Sequence, residues 1–236
     1  MEKSRKHRIS EEFIMHPEID SLIIYEDAHI IVCHKPAGVP TQTARIGTPD
    51  MVSMLKVHLA ASSKGEPYLA VIHRLDQPVE GLLVFARTPA AARELNRQLT
   101  ASGFGKYYRA VVHGVPEPAE GILENYMVKD GRTNTSRICD KNTPGAKPAR
   151  LHYQVEKISE DPDPAVSLIR IKLDTGRHHQ IRVQMAHTGH PLAGDRKYGD
   201  RKSTGPLKLC ACRLEFKHPD THKNMMFELP ADPDFL

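Results

Sequence analysis

A short polar segment between two apolar runs constrains this chain more than any other feature. The segment contains His73, Arg74 and Asp76, and apolar residues dominate on both sides of it. Apolar runs of this length, bounded by turn residues, are typical of buried strands. We therefore predict strands over residues 68–75 and 81–86, with Asp76 where the core meets a cleft. An acid in that position is either paired structurally or used chemically.

Composition limits the class of protein. A chain of 236 residues can form one or two domains with a substantial core. Its longest apolar runs, about six residues, are far shorter than the roughly 20 needed to span a bilayer. Residues 1–10 lack the apolar core of a secretory signal, and four cysteines do not predict a disulfide framework. We expect a cytoplasmic protein with no membrane contact.

Basic charge is concentrated in two parts of the chain. Residues 1–10 contain four Lys and Arg side chains against one Glu, and residues 170–202 contain eight against three Asp. Clustered positive charge attracts phosphate backbones, although a solvated basic surface gives the same pattern. We predict a basic N-terminal arm over residues 1–17 and one folded domain over residues 18–236.

Hydrophobic periodicity predicts many strands and few helices. Tight hairpins favour antiparallel pairing, so we predict an α+β fold with a mixed, largely antiparallel sheet and flanking helices. Residues 115–149, rich in Pro, Gly, Asn and Thr, predict long loops with short strands. The other predicted elements are a hairpin over 22–33, helices over 50–61, 88–103 and 177–189, and strands over 106–114, 150–158, 166–173, 207–216 and 225–229.

Several familiar sites are not indicated. The sequence has no phosphate-cradling GxxxxGK[ST] loop and no GxGxxG after a strand. Cys210 and Cys212 have no second cysteine pair to complete a zinc site. Adjacent histidines, His178 and His179, point in different directions on a helix. We predict no metal site.

Three residues far apart in sequence have complementary chemistry. Only the charged form of Asp76 can act as a nucleophile, and a nearby guanidinium such as Arg177 would keep it charged. The ring of Tyr108 offers a surface on which a base can stack, and its hydroxyl can transfer a proton. From the residues alone, a structural ion pair between Asp76 and Arg177 explains the pattern equally well.

Five motifs, in the same order along the chain, resemble the RluA-type pseudouridine synthases. The resemblance covers about residues 22–230 and implies a pseudouridine synthase catalytic domain with a central RNA-binding cleft. The motifs are residues 35–38 (KPAG), 73–76 (HRLD) with Gly81, 106–108 (KYY), 173–182 (LDTGRHHQIR) with 189–195 (GHPLAGD) and Tyr198, and 214–219 (LEFKHP).

The resemblance also implies a reaction and residue roles. Uracil is detached from its ribose, rotated and rejoined through carbon, in rRNA or tRNA, without a metal or organic cofactor. Asp76 is the implied catalytic residue. Its implied support is Tyr108 stacking on the flipped base, Arg177 pairing with Asp76, Arg74 helping to extrude the base, and Lys106 steadying the site.

Further contacts and partners are expected on the same basis. RNA is the expected partner, with no DNA and no membrane, and the protein is expected to be a monomer. The candidate RNA-binding residues are Lys35, His73, His179, Gln180 and Arg182.

The sequence departs from the family pattern directly after Asp76. The family usually has Thr-Ser-Gly before its next strand, whereas this chain has Val79, Glu80 and Gly81. We expect Glu80 to face solvent. Two alternatives follow: a catalytically weak RNA-binding or RNA-chaperone module on the same fold, or a glycoside hydrolase in which Glu80 is the second carboxylate.

Overall fold

A mixed sheet of eleven strands with four helices forms the described part of the chain. The computed structural model describes residues 18–61, 65–101, 103–161, 165–232 and 235. The predicted arm over residues 1–17 lies outside them. The strands are β1 Ile23–Glu26, β2 Ile30–Lys35, β3 Ala70–Val71, β4 Glu80–Ala86, β5 Gly105–His113, β6 Glu120–Asp130, β7 Thr135–Cys139, β8 Lys147–Ser159, β9 Val166–Leu173, β10 Leu209–Lys217 and β11 Asn224–Glu228; the helices are α1 Ile19–Leu22, α2 Met51–Ala60, α3 Pro89–Thr100 and α4 Gln180–His187.

The sheet has the strand order β1-β2-β4-β10-β5-β9-β8-β6-β7, with β11 paired to β10 and β3 paired to β4. Among the described strand pairs, β4 and β10 run parallel and the others run antiparallel. The predicted mixed, largely antiparallel α+β fold is therefore confirmed. None of the described helices has the length and apolar character needed to cross a membrane.

Local capping chemistry explains where the two longer helices begin. Asp50 accepts a hydrogen bond from the N–H of Ser53 at 2.7 Å, and the Ser53 hydroxyl accepts one from the N–H of Asp50 at 3.0 Å. Thr88 accepts from the N–H of Ala91 at 3.1 Å, directly before the proline that opens α3. Both helices were predicted from sequence, and both predictions are confirmed.

Two predicted elements are wrong in extent. The strand expected over residues 68–75 is reduced to Ala70–Val71, because the chain then turns. The Thr41 hydroxyl holds this turn through hydrogen bonds with the N–H and C=O of Leu75. The long loops expected over residues 115–149 contain β6 and β7, whose exposed alternating side chains lack the apolar signal of a buried strand.

The sheet separates two apolar clusters. The larger contains residues from α2, the Asp76 turn and one face of β5, including Tyr108, Ala110 and Val112. Alternation along β5 thus sends these three side chains to the same face of the sheet. The smaller cluster packs under α3.

Between the clusters, β4 and β10 approach so closely that a Cβ on Gly81 would lie 2.5 Å from the backbone N and O of Ala211. Gly81 also has a φ of +128°, so a glycine is required at the start of the strand that follows Asp76.

Candidate active site

The carboxylate of Asp76 lies at the mouth of the larger cluster, in the turn between β3 and β4. One of its oxygens is 3.6 Å from Nη1 of Arg182 and 3.4 Å from Nε2 of His179. Burial raises the pKa of Asp76 above its ordinary value, and the charges of Arg182, Lys197 and Lys35 oppose that rise. The site thus holds a half-buried carboxylate with cations around it.

A buried ion pair fixes the arginine. The Arg182 guanidinium donates two hydrogen bonds of 2.7 Å to the carboxylate of Asp195, whose side chain is fully buried. Burial opposes ionisation of Asp195, but hydrogen bonds from Arg182 and from the N–H groups of Lys197 and Tyr198 outweigh it and lower its pKa. Asp195 therefore holds Arg182 in place while its Nη1 faces Asp76.

A histidine completes the shell around Asp76. His179 precedes α4 in the left-handed region, with a φ of 56°. The N–H of Ser136 donates to the Tyr198 hydroxyl at 2.8 Å, and that hydroxyl lies 2.7 Å from Nδ1 of His179. Because the hydroxyl accepts from Ser136, its own hydrogen is available to Nδ1, which assigns the His179 hydrogen to Nε2, beside Asp76. Burial and the charge of Arg182 lower the pKa of His179 to about 3, so the ring is neutral.

Lys35 supports the turn from below. Its ammonium is fully buried and donates to the carbonyls of Pro36, Val39 and Gln77 at 2.7–3.2 Å. Burial lowers the pKa of Lys35 to about 8, against the opposing charge of Asp76. The predicted contact of Lys35 with RNA is wrong, since this side chain ties the loop after β2 to the Asp76 turn.

Tyr108 and Arg74 differ in their exposure to solvent. Tyr108 is buried, and burial together with the charge of Asp76 raises the pKa of its hydroxyl. Arg74 is exposed and donates to the carbonyl of Gln42 at 2.9 Å. The structure therefore brings Tyr108 beside Asp76 and places Arg74 at the surface.

Arg177 does not pair with Asp76, so that prediction is wrong. Its Nε donates to the carbonyl of Pro148 at 2.8 Å, and its N–H donates to the side chain of Gln180 at 3.0 Å. The partner is Arg182, five residues further along the same motif. The sequence signal that could have identified Arg182 is the start of α4 at Gln180. A helix that starts there puts Arg182 on its first turn, beside His179.

The other predicted RNA-binding residues have protein partners. Gln180 is buried and donates to the carbonyl of Arg150 at 3.1 Å. His73 accepts from the N–H of Val84 at 3.4 Å, and its ring packs edge-on against Phe104. Burial and the charge of Lys106 lower the pKa of His73 to about 3. Together with the buried Arg182 and His179, these residues form the wall of the site, and the structure does not present them as a surface for RNA.

The departure after Asp76 is accommodated within the fold. Val79 is buried in the larger apolar cluster, which explains why an apolar residue is tolerated there. Glu80 is half-buried, so the expected solvent exposure is only partial. Glu80 lies opposite Cys210 in the parallel pair of β4 and β10. Burial raises the pKa of the Cys210 thiol most, and the charge of Glu80 raises it further. In the described residues, no group of three His, Cys, Asp or Glu side chains is arranged to hold a metal ion.

Comparison with known proteins identifies the family of this chain. A family model described as RNA pseudouridylate synthase matches residues 29–187. The dual-specificity RNA pseudouridine synthase RluA of Salmonella typhimurium is 35% identical over 215 residues, which cover 89% of this chain and 93% of that protein. The chain belongs to the RNA pseudouridylate synthase family, of the RluA type. It is an enzyme that isomerises uridine in RNA.

Other relatives and solved structures extend the comparison. Ribosomal large subunit pseudouridine synthase C of Escherichia coli is 34% identical over 221 residues, which cover 89% of this chain and 66% of that protein. The structure of human RNA pseudouridylate synthase domain containing 4 superposes with a TM-score of 0.74 at 22% identity, covering 92% of this chain and 91% of that one. A second human structure, domain containing 1, gives 0.70 at 24% identity, covering 89% and 82%. The structures confirm the fold.

Proposed function

We propose that this enzyme converts specific uridines in structured rRNA or tRNA to pseudouridine, with Asp76 as the nucleophile acting on a flipped-out base. The observation that carries the proposal is the carboxylate of Asp76 held 3.6 Å from the Arg182 guanidinium beside the ring of Tyr108. Arg182 favours the charged, reactive form of a carboxylate that burial would otherwise protonate.

Each neighbour of Asp76 has a role in the proposed reaction. The reaction breaks the bond between N1 of uracil and C1′ of ribose and forms a bond from C5 to C1′. C5 loses its proton to water and N1 takes up a proton from water, so the product is an isomer of the substrate. Tyr108 stacks on the base, and its raised pKa keeps the hydroxyl protonated and uncharged at neutral pH. Arg74, exposed at the cleft, helps to displace the base from its stack, which costs a few kcal/mol.

The names of two relatives support the proposed class of RNA. One of them is named as a dual-specificity enzyme and another as a ribosomal large subunit enzyme. Exposed basic side chains around the described cleft, rather than the buried motif residues, supply the electrostatic attraction to such RNA. They include Lys129, Arg132, Arg137, Lys141 and Lys147 of the β6–β7–β8 segment and Lys197, Arg201 and Lys202 of the loop before β10.

Tritium release tests the proposal directly. Total RNA labelled with tritium at C5 of uridine, from cells lacking this gene, is the substrate because its target uridines are unmodified. We expect release with the wild-type enzyme and none above background with Asp76→Ala or Asp76→Asn. His187→Asn is the matched control, because His187 is exposed at the end of α4, and it should behave like wild type. Equal release from wild type and Asp76→Ala would exclude Asp76 as the nucleophile.

A further inference from the structure

Lys106 occupies a position in the cleft wall that its charge makes unfavourable. It lies on the same face of β5 as Tyr108, two residues away, which corresponds to about 7 Å along the strand. Across the sheet, Lys106 is opposite Leu173 and Tyr108 is opposite Ile171, both members of the larger apolar cluster. Lys106 is therefore a half-buried cation beside the ring on which the base is proposed to stack.

The Lys106 ammonium rests against the turn that leads into α4. A Cβ built on Gly176 would lie 3.1 Å from Nζ of Lys106, so a larger residue would crowd the ammonium out of this position. The next residue is Arg177, and its charge adds to burial in lowering the pKa of Lys106. Two cations are thus held together at one turn.

No acid neutralises this pair within the described residues, 18–61, 65–101, 103–161, 165–232 and 235. The nearest carboxylate in sequence, Asp174, is engaged by Arg150 at 3.2 Å and His152 at 3.0 Å. Across those residues, neither an ion pair nor a hydrogen bond joins the Lys106 ammonium to a partner. Burying a cation without a counter-charge is costly, and an anionic ligand beside it would offset that cost.

We propose that Lys106 and Arg177, with the Gly176 turn between them, bind one phosphate of the RNA backbone next to the target uridine. The inference rests on the proposed function, which places a base on Tyr108 and its backbone within reach of Lys106. A phosphate supplies the missing negative charge, and its oxygens can accept from both the ammonium and the guanidinium. The site therefore fixes the register of the strand and carries no base specificity.

Salt dependence of binding measures this contact without requiring turnover. Fluorescein-labelled single-stranded RNA of twenty uridines is titrated with wild type, Lys106→Met and Arg177→Gln over a range of KCl concentrations. Each phosphate contact contributes about 0.7 to the slope of log affinity against log salt for single strands. We expect each single variant to lower the slope by up to about 0.7, and the double variant to lower it by no more than about 0.7, since both side chains share one phosphate.

Two controls distinguish loss of the phosphate contact from loss of folding and from the loss of a positive charge elsewhere on the surface. Lys157→Met removes an exposed lysine from the far end of β8 and should leave the slope unchanged. Lys106→Met should melt at the same temperature as wild type or higher, because it removes a charge buried without a partner. A wild-type slope for Lys106→Met, or a loss of about 1.4 in the double variant, would overturn the shared phosphate site. An enzyme without tritium release but with these slopes would instead overturn the proposed function alone.

Discussion

Arg182 is buried and Lys106 is half-buried, and these two cations differ in how their charge is balanced. Arg182 is held by two hydrogen bonds to Asp195 and faces Asp76. Lys106 has Arg177 as its nearest charged neighbour, of the same sign. The paired side is complete without RNA and sets the state of Asp76, whereas the unpaired side has a charge that only a ligand would balance. Preorganisation and ligand binding are thus assigned to different walls of one cleft.

The largest expected effect is on the free energy of unfolding, when the ion pair between Arg182 and Asp195 is broken. Asp195→Ala leaves the Arg182 guanidinium buried without its main partner, which costs roughly 3–5 kcal/mol of the free energy of unfolding. Urea unfolding measures the change. Glu160→Ala, at an exposed acid on the sheet rim, should change stability by less than about 0.5 kcal/mol. A loss below about 1 kcal/mol for Asp195→Ala would show that the pair is not an important support.

The next largest effect should appear in the pH dependence of catalysis, where variants of Arg182 and of Lys106 should differ. The reactive carboxylate of Asp76 is lost as pH falls through its pKa, which burial already raises. Removing a neighbouring cation raises that pKa further, so Arg182→Gln should move the acidic limb of single-turnover tritium release to higher pH.

Lys106→Met should leave that limb in place, because the cations that lower the pKa of Asp76 most are Arg182, Lys197 and Lys35. The rates are measured between about pH 5 and about pH 8. An equal displacement of the limb in both variants would contradict the division of roles between the two sides.

Tyr198→Phe should have the smallest effect, since it keeps the ring that packs 5.1 Å from the Arg182 guanidinium and removes only the hydroxyl. The N–H of Ser136 and Nδ1 of His179 then lose their common partner, at a cost of about 1–2 kcal/mol. Nitrogen chemical shifts of the His179 ring should change from the Nε2–H tautomer toward a mixture. An unchanged tautomer would mean that Tyr198 does not assign the hydrogen.

Local chemistry made much of the fold predictable from sequence. Capping residues before α2 and α3, and alternation along β5, act within a few residues and therefore appear in the sequence itself. The β6–β7 hairpin was not predicted, because strands with one exposed face and polar turns resemble loops. Its pairing with β8 depends on residues far along the chain.

The candidate site was predictable in its members but not in its pairings. The motif containing Arg177 and Arg182 offered two arginines for Asp76, and the choice depends on where α4 begins and on the distant carboxylate of Asp195. The family resemblance implied that Lys35 contacts RNA, and lysine side chains are mostly exposed in proteins. Its burial follows from three carbonyls that converge only in the folded chain.

The junction between the loop after β2 and the Asp76 turn limits how this enzyme can vary. Gly38 and Gln77 are joined in both directions, by the Gly38 N–H to the Gln77 carbonyl at 2.8 Å and by the Gln77 side chain to the Gly38 carbonyl at 3.0 Å. An insertion in the loop over residues 36–39 would therefore displace the turn that carries Asp76, although more than thirty residues separate the two in sequence. Within the part of the chain that the structure describes, no hydrogen bond joins the exposed turn over residues 131–134 to the Asp76 turn, and it is where we expect length to change freely among relatives.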